Sequence, residues 1–207
     1  MQIKILYVDD HPELKLSNYL REDLPTFLYS KERKFDISVE ALIYPPDESL
    51  TWLFNQEKLQ SANIIIIDSK LYEERNVSDD LPTGEDFRFL LKSEFPFKVT
   101  LVLTKQKDHL REDLGIIEKY NYQKGITPIK YYNEQLGDKI YNACIEVSEY
   151  KALSNKTNED AKQFDEFMFQ KAILCEEGNS DYSSLTSADI NEVIKIFKEV
   201  QELLKNE

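Results

Sequence analysis

Two stretches of the chain are apolar almost throughout and end on acid. Ile3-Lys4-Ile5-Leu6-Tyr7-Val8 runs into Asp9-Asp10, and Ile64-Ile65-Ile66-Ile67 runs into Asp68. Strands that carry apolar side chains on both faces belong inside a sheet covered on both sides. Similar runs place strands at 3–9, 35–41, 63–68, 98–104 and 125–131. The second alternates polar and apolar residues (Asp36-Ile37-Ser38-Val39-Glu40-Ala41), as an edge strand does. Helical spacing fills the gaps. His11-Pro12-Glu13 opens a first helix with Leu14, Leu16, Leu20 and Leu24 in a stripe, interrupted by Pro25. Further helices are expected at about 47–59, 84–94, 108–119 and 133–150. Leu136, Ile140, Ala143, Cys144 and Val147 line one face of the last of these. Strand and helix thus alternate five times. This predicts an α/β fold, a doubly wound five-stranded parallel sheet with helices on both faces.

The pattern changes after residue 150. Ser154-Asn155-Lys156-Thr157-Asn158-Glu159-Asp160 reads as a polar linker. Beyond it, Phe164, Phe167, Met168 and Ala172 mark one helix, and Ile190, Val193, Phe197, Val200 and Leu204 mark another. The expected division is a domain at 1–150 and a C-terminal helical hairpin at 151–207. A hairpin of that size buries too little to stand alone and should pack on the domain or on a partner.

Charge narrows the function classes. The net charge is -13, from 39 acidic and 26 basic residues, which repels nucleic acid. The hairpin is itself acidic, with 12 Asp and Glu against 7 Lys and Arg in residues 151–207. The basic stretch Lys31-Glu32-Arg33-Lys34 contains its own acid and reads as a solvated turn. No nucleic-acid partner is expected. No run of 18 apolar residues offers a membrane span. The opening Met-Gln-Ile-Lys-Ile lacks the layout of a secretory signal. Cys144 and Cys175 have no metal-ligand spacing, which fits a reducing cytoplasm. With 5 glycines and no Gly-rich loop, a nucleotide-binding loop is disfavoured.

The candidate chemistry lies at the strand ends. In the doubly wound order 2-1-3-4-5 the first and third strands are neighbours. Asp9, Asp10 and Asp68 then share the crevice where open α/β sheets hold ligands. Carboxylates are the hard oxygen donors that Mg²⁺ prefers. Thr104 ends the fourth strand and offers a hydroxyl; Lys130 lies near the end of the predicted fifth and offers an ammonium. Three carboxylates, a hydroxyl and an amine suit phosphoryl transfer onto a carboxylate. Taken alone, an aspartate pair after a strand equally serves to cap the next helix. His11 beside the pair reads as helix-start packing rather than as a metal ligand.

The order and spacing of these five residues over about 1–150 resemble the receiver domain of two-component response regulators, whose fold is flavodoxin-like. The resemblance implies that Asp68 accepts a phosphoryl group from a histidine kinase or phosphotransfer protein. It implies Mg²⁺ on Asp9, Asp10, Asp68 and the backbone carbonyl of Lys70. Thr104 would be the switch hydroxyl, and Lys130 would pair with the phosphorylated aspartate. Leu81-Pro82-Thr83-Gly84-Glu85-Asp86-Phe87 resembles the turn that closes the family's phosphorylation loop. Such a protein signals rather than catalyses turnover. Its output would be an effector protein, or a self-dimer formed through the hairpin.

Departures from the family's pattern define the alternatives. The loop after Asp68 is long and carries the acidic insertion Glu73-Glu74-Arg75-Asn76-Val77-Ser78-Asp79-Asp80. Lys105 follows Thr104 where small residues are usual. Tyr131 follows Lys130 where proline is common, and Thr127 stands where an aromatic often does. These features motivate a second reading, a pseudo-receiver acting as a constitutive interaction module. A Mg²⁺-dependent phosphohydrolase is disfavoured, because the position two residues after Asp9 is His11 and that after Asp68 is Lys70.

Overall fold

The computed structural model describes residues 2–45, 47–71, 83–106, 115–122 and 125–159. Five strands form one parallel sheet in the order β2-β1-β3-β4-β5: β1 (Gln2–Asp9), β2 (Asp36–Ile43), β3 (Ile64–Asp68), β4 (Val99–Thr104) and β5 (Ile116–Glu118). The expected α/β class, strand number and strand order are all present.

Alternation explains the apolar runs. Ile3, Ile5, Tyr7, Ile64, Ile66, Leu101, Leu103 and Ile117 join one core, and Leu6, Val8, Ile65, Ile67, Val102 and Ile116 join the other. Successive side chains of a strand point to opposite faces, so both faces need apolar residues when helices cover both. The first core is closed by α1 (Leu14–Asn18), α2 (Leu24–Ser30), α6 (Pro128–Tyr132) and α7 (Asp138–Glu159) through residues such as Leu16, Leu24, Tyr132, Ile140 and Val147. The second is closed by α3 (Leu50–Phe54), α4 (Glu57–Ser61) and α5 (Gly84–Glu94) through Leu53, Leu59, Phe87 and Leu91.

Several boundaries differ from expectation, each for a local reason. Pro25 does not interrupt the first helical segment. A π turn over Tyr19–Asp23 joins α1 to α2, and the Leu24 N–H bonds back to the Tyr19 carbonyl. Proline lacks an amide hydrogen and its ring clashes with the carbonyl four residues back. A widened turn just before it relieves both. The helix expected at 47–59 divides at Asn55-Gln56 into α3 and α4.

The strand expected at 125–131 is a correction. Thr127 is a helix N-cap whose hydroxyl accepts the Lys130 N–H at 3.3 Å, and Pro128 occupies the first turn of α6. Proline is favoured there because the first amides of a helix have no intrahelical partner. The fifth strand lies earlier, at Ile116–Glu118, within the span expected to end the fourth helix. A second π turn, Asn133–Gly137, joins α6 to α7. Gly137 sits where a Cβ would lie 2.6 Å from the Phe27 ring and 2.9 Å from the Tyr19 hydroxyl oxygen, so the absence of a side chain lets α2 approach.

The polar stretch Ser154–Glu159 is helical, as the end of α7, and so is not the expected linker. The insertion at 73–80, the rest of the fourth helix at 108–114 and the hairpin from 160 onward lie outside the described residues. No helix among the described residues is long and apolar enough to cross a membrane.

Candidate functional site

The carboxyl ends of the central strands bring the acidic residues together. Asp9 is the last residue of β1 and Asp68 the last of β3; both are buried, while Asp10 is half-buried. One carboxylate oxygen from each of the three lies within 4.8 Å of the others. Burial pushes the Asp68 carboxyl up to about 6; Lys119 opposes this and Asp9 adds to it.

The ammonium at this crevice is that of Lys119, not Lys130. Lys119 follows β5 directly, and its Nζ lies 2.8 Å from Asp68 Oδ1 and 3.0 Å from Asp9 Oδ2, with the lysine side chain 3% exposed. Burial acts against its charge, but the two carboxylates outweigh burial and hold its pKa above the ordinary lysine value. Lys130 lies on α6, exposed, with its Nζ 3.9 Å from Glu134. It is absent from the crevice because residues 128–132 are helix rather than strand end. Sequence signals for Lys119 were present: Gly115, a two-residue apolar run Ile116-Ile117, then polar Glu118-Lys119. They were overshadowed by the longer β-branched stretch downstream.

Thr104 ends β4 and is buried, with Oγ1 accepting the Gln106 N–H at 3.1 Å. Lys105 reaches back to Glu13, Nζ to Oε1 at 2.9 Å. Glu13 follows β1 and Lys105 follows β4, and β3 lies between those strands. This ion pair therefore spans the crevice above the end of β3.

The N-terminus of α5 is fitted closely beneath Asp68. The Gly84 N–H donates to the Ser69 carbonyl at 2.8 Å, and the Ser69 N–H donates to the Leu103 carbonyl at 2.8 Å. A Cβ on Gly84 would fall 2.3 Å from the Asp68 carbonyl oxygen, so only glycine fits. Thr83 and Asp86 form a capping box that fixes where α5 starts. The Ser69 hydroxyl donates to Glu85 at 2.8 Å. Lys70, expected to offer its carbonyl to a metal, is exposed and lies two residues after Asp68.

Tyr7 is inconspicuous in the sequence because an aromatic inside an apolar run reads as core. Its ring is in the core, yet its hydroxyl donates to Asp9 Oδ2. Burial, followed by the Asp9 charge, pushes its pKa well above the ordinary tyrosine value, so the hydroxyl keeps its proton.

The donor set fits a small divalent cation. All three groups are hard carboxylate donors; Asp68 meets Lys119 through Oδ1, and Asp9 meets it through Oδ2 while its Oδ1 accepts the His11 N–H. A buried ammonium beside them places a second positive charge where a phosphoryl group on Asp68 would carry negative charge.

No family model matches the sequence, and the search of curated proteins gives no match. Solved structures do match. One is of RcsB from Salmonella enterica serovar Typhimurium bound to promoter rprA in the presence of phosphomimetic BeF3-, at 17% identity over 78% of this chain and 82% of that chain, with a TM-score of 0.35. Another is a complex of the two-component response regulator RcsB with DNA, at 17% identity over 90% of this chain and 100% of that chain, with a TM-score of 0.38. The chain's own strand order, β2-β1-β3-β4-β5 with every pair parallel, is the flavodoxin-like doubly wound arrangement.

Proposed function

We propose that the chain is a phosphoacceptor signalling protein, with Asp68 as the acceptor. The observation that carries this reading is the buried ammonium of Lys119 held between Asp68 and Asp9, beside a third carboxylate. A lysine buried at this position neutralises carboxylates and stands ready to neutralise a phosphoryl oxygen.

In the proposed reaction an Asp68 carboxylate oxygen bonds to phosphorus as the bond from phosphorus to a histidine nitrogen of the donor breaks. The electron pair leaves with that nitrogen. Asp68 Oδ1 is already paired with Lys119, so the other oxygen is the natural nucleophile. With its carboxyl pushed up to about 6, Asp68 is mainly ionised at neutral pH. Asp10, Asp68 and the remaining lone pair of Asp9, with the Lys70 carbonyl, would hold Mg²⁺. The cation would offset the charge of the entering phosphoryl group. Thr104 would donate its hydroxyl to a phosphoryl oxygen, and Lys119 takes the role first expected of Lys130.

The partners in this reading are a histidine kinase or phosphotransfer protein upstream and an effector protein, or a second copy through residues 151–207, downstream. A net charge of -13 favours protein over nucleic acid as output, and a cytoplasmic location accords with this. Incubation with acetyl phosphate and Mg²⁺ should add one phosphoryl mass, lost in Asp68→Asn. No gain under conditions that modify a control receiver refutes the reading.

The Glu13–Lys105 ion pair across the crevice supports a second reading, an interaction module that is not phosphorylated. Acetyl phosphate labelling of Lys105→Ala separates the two. A variant that stays unlabelled, like the parent, favours the module.

A further inference from the structure

Asp9 is more heavily engaged than a metal ligand ordinarily is. Its Oδ2 accepts from the Tyr7 hydroxyl and from Lys119 Nζ at 3.0 Å, and its Oδ1 accepts from the His11 N–H at 2.8 Å. An ionised carboxylate has about four acceptor sites. Three are occupied, and the one left is on Oδ1. Lys119 and His11 belong to the ends of strands around the crevice. Tyr7 comes from below, out of the core, with 1% of its surface exposed.

We propose that Tyr7 is a positioning residue that limits what Asp9 gives to a cation. Its hydroxyl pins Oδ2 downward, so Asp9 meets an incoming divalent cation with one lone pair of Oδ1. Asp10 and Asp68 then supply the larger share of the carboxylate ligation. The hydroxyl also stabilises the carboxylate charge, which makes Asp9 a weaker donor to a cation. The inference rests on the Mg²⁺ reading of the crevice.

The test is Mg²⁺ titration calorimetry on the full chain and on Tyr7→Phe, which keeps the ring in the core and removes only the hydroxyl. Freed from the hydroxyl, Asp9 is the stronger donor, and the variant should bind Mg²⁺ about tenfold more tightly, near the lower end of what a hydrogen bond to a charged group is worth. A purely structural tyrosine would leave affinity unchanged or weakened. Proton NMR on the unsubstituted protein gives a second readout that needs no variant. The Tyr7 hydroxyl proton should resonate downfield, exchange slowly and move when Mg²⁺ is added. Tyr7→Phe affinity within twofold of the parent, or weaker, overturns the proposal and leaves the metal reading intact. No Mg²⁺ binding by the parent at millimolar concentration refutes the metal reading, and this proposal falls with it.

Discussion

Replacing Lys119 by methionine removes one charge from a site holding two buried carboxylates. The lysine side chain is 3% exposed and lies 2.8 Å from Asp68 and 3.0 Å from Asp9, so water does not screen the loss. Breaking a buried pair by removing one partner costs about 3–5 kcal/mol, because the other charge stays buried and uncompensated. For a domain of this size, 1 kcal/mol moves the melting temperature by roughly 2–4 °C. Lys119→Met should therefore melt at least about 6 °C lower at neutral pH. Lys130→Met is the matched control, since its 3.9 Å pair with Glu134 is exposed on both sides; it should change stability by no more than about 0.5 kcal/mol.

The pH dependence has a definite sign. Burial raises the Asp68 carboxyl to about 6 even with Lys119 present. A raised carboxylate contributes stability that is present below its unfolded value and lost as pH rises through its folded value. Without the ammonium that value rises further, so the deficit of Lys119→Met should open as pH rises and close in acid. Millimolar Mg²⁺ should restore part of it at neutral pH. Urea denaturation at several pH values reads all of this. Equal stability of the two variants at neutral pH would refute the assignment of Lys119 as the buried cation.

Two further outcomes are expected. Gly84→Ala places a methyl 2.3 Å from the Asp68 carbonyl oxygen; it should cost about 1–3 kcal/mol in denaturation and slow acetyl phosphate labelling of Asp68. Lys98, buried with its Nζ 2.6 Å from the Gln60 and Ala62 carbonyls, has its pKa pushed down by burial to about 8. The depressed amine contributes stability that is present above its unfolded value near 10.5 and lost as pH falls through about 8. Wild-type stability should accordingly rise between those values by at most about 3 kcal/mol relative to Lys98→Met in pH-dependent urea denaturation.

The legible parts of the fold were those with long, uniform patterns. The runs ending at Asp9, Asp68 and Thr104 are strands because both faces of the sheet are covered, and that same cover makes the runs conspicuous. β5 is three residues long at a sheet edge, too short to show a period. The stretch around Ile126 and Ile129 resembled a strand by composition, but Thr127-Pro128 is a helix start, and capping outweighed β-propensity. The misplaced strand carried the lysine with it. Tyr7 was hidden for another reason: the sequence shows an aromatic in a core run, and only the register beneath Asp9 shows where its hydroxyl points.

α7 has a mechanical consequence. At 1.5 Å per residue its 22 residues extend about 33 Å. Its first half is anchored in the core by Ile140, Ala143, Cys144 and Val147, and Tyr150 meets the Phe97 ring edge-on at 5.3 Å. The helix then continues unbroken through Glu159, across the stretch where a polar linker was expected. A tether would let its far end sample directions freely. A rod fixes them, so a small rotation of α7 where it meets the sheet is magnified with distance beyond Tyr150. The position of Glu159 is therefore set by the doubly wound domain, and a change at the sheet would move it.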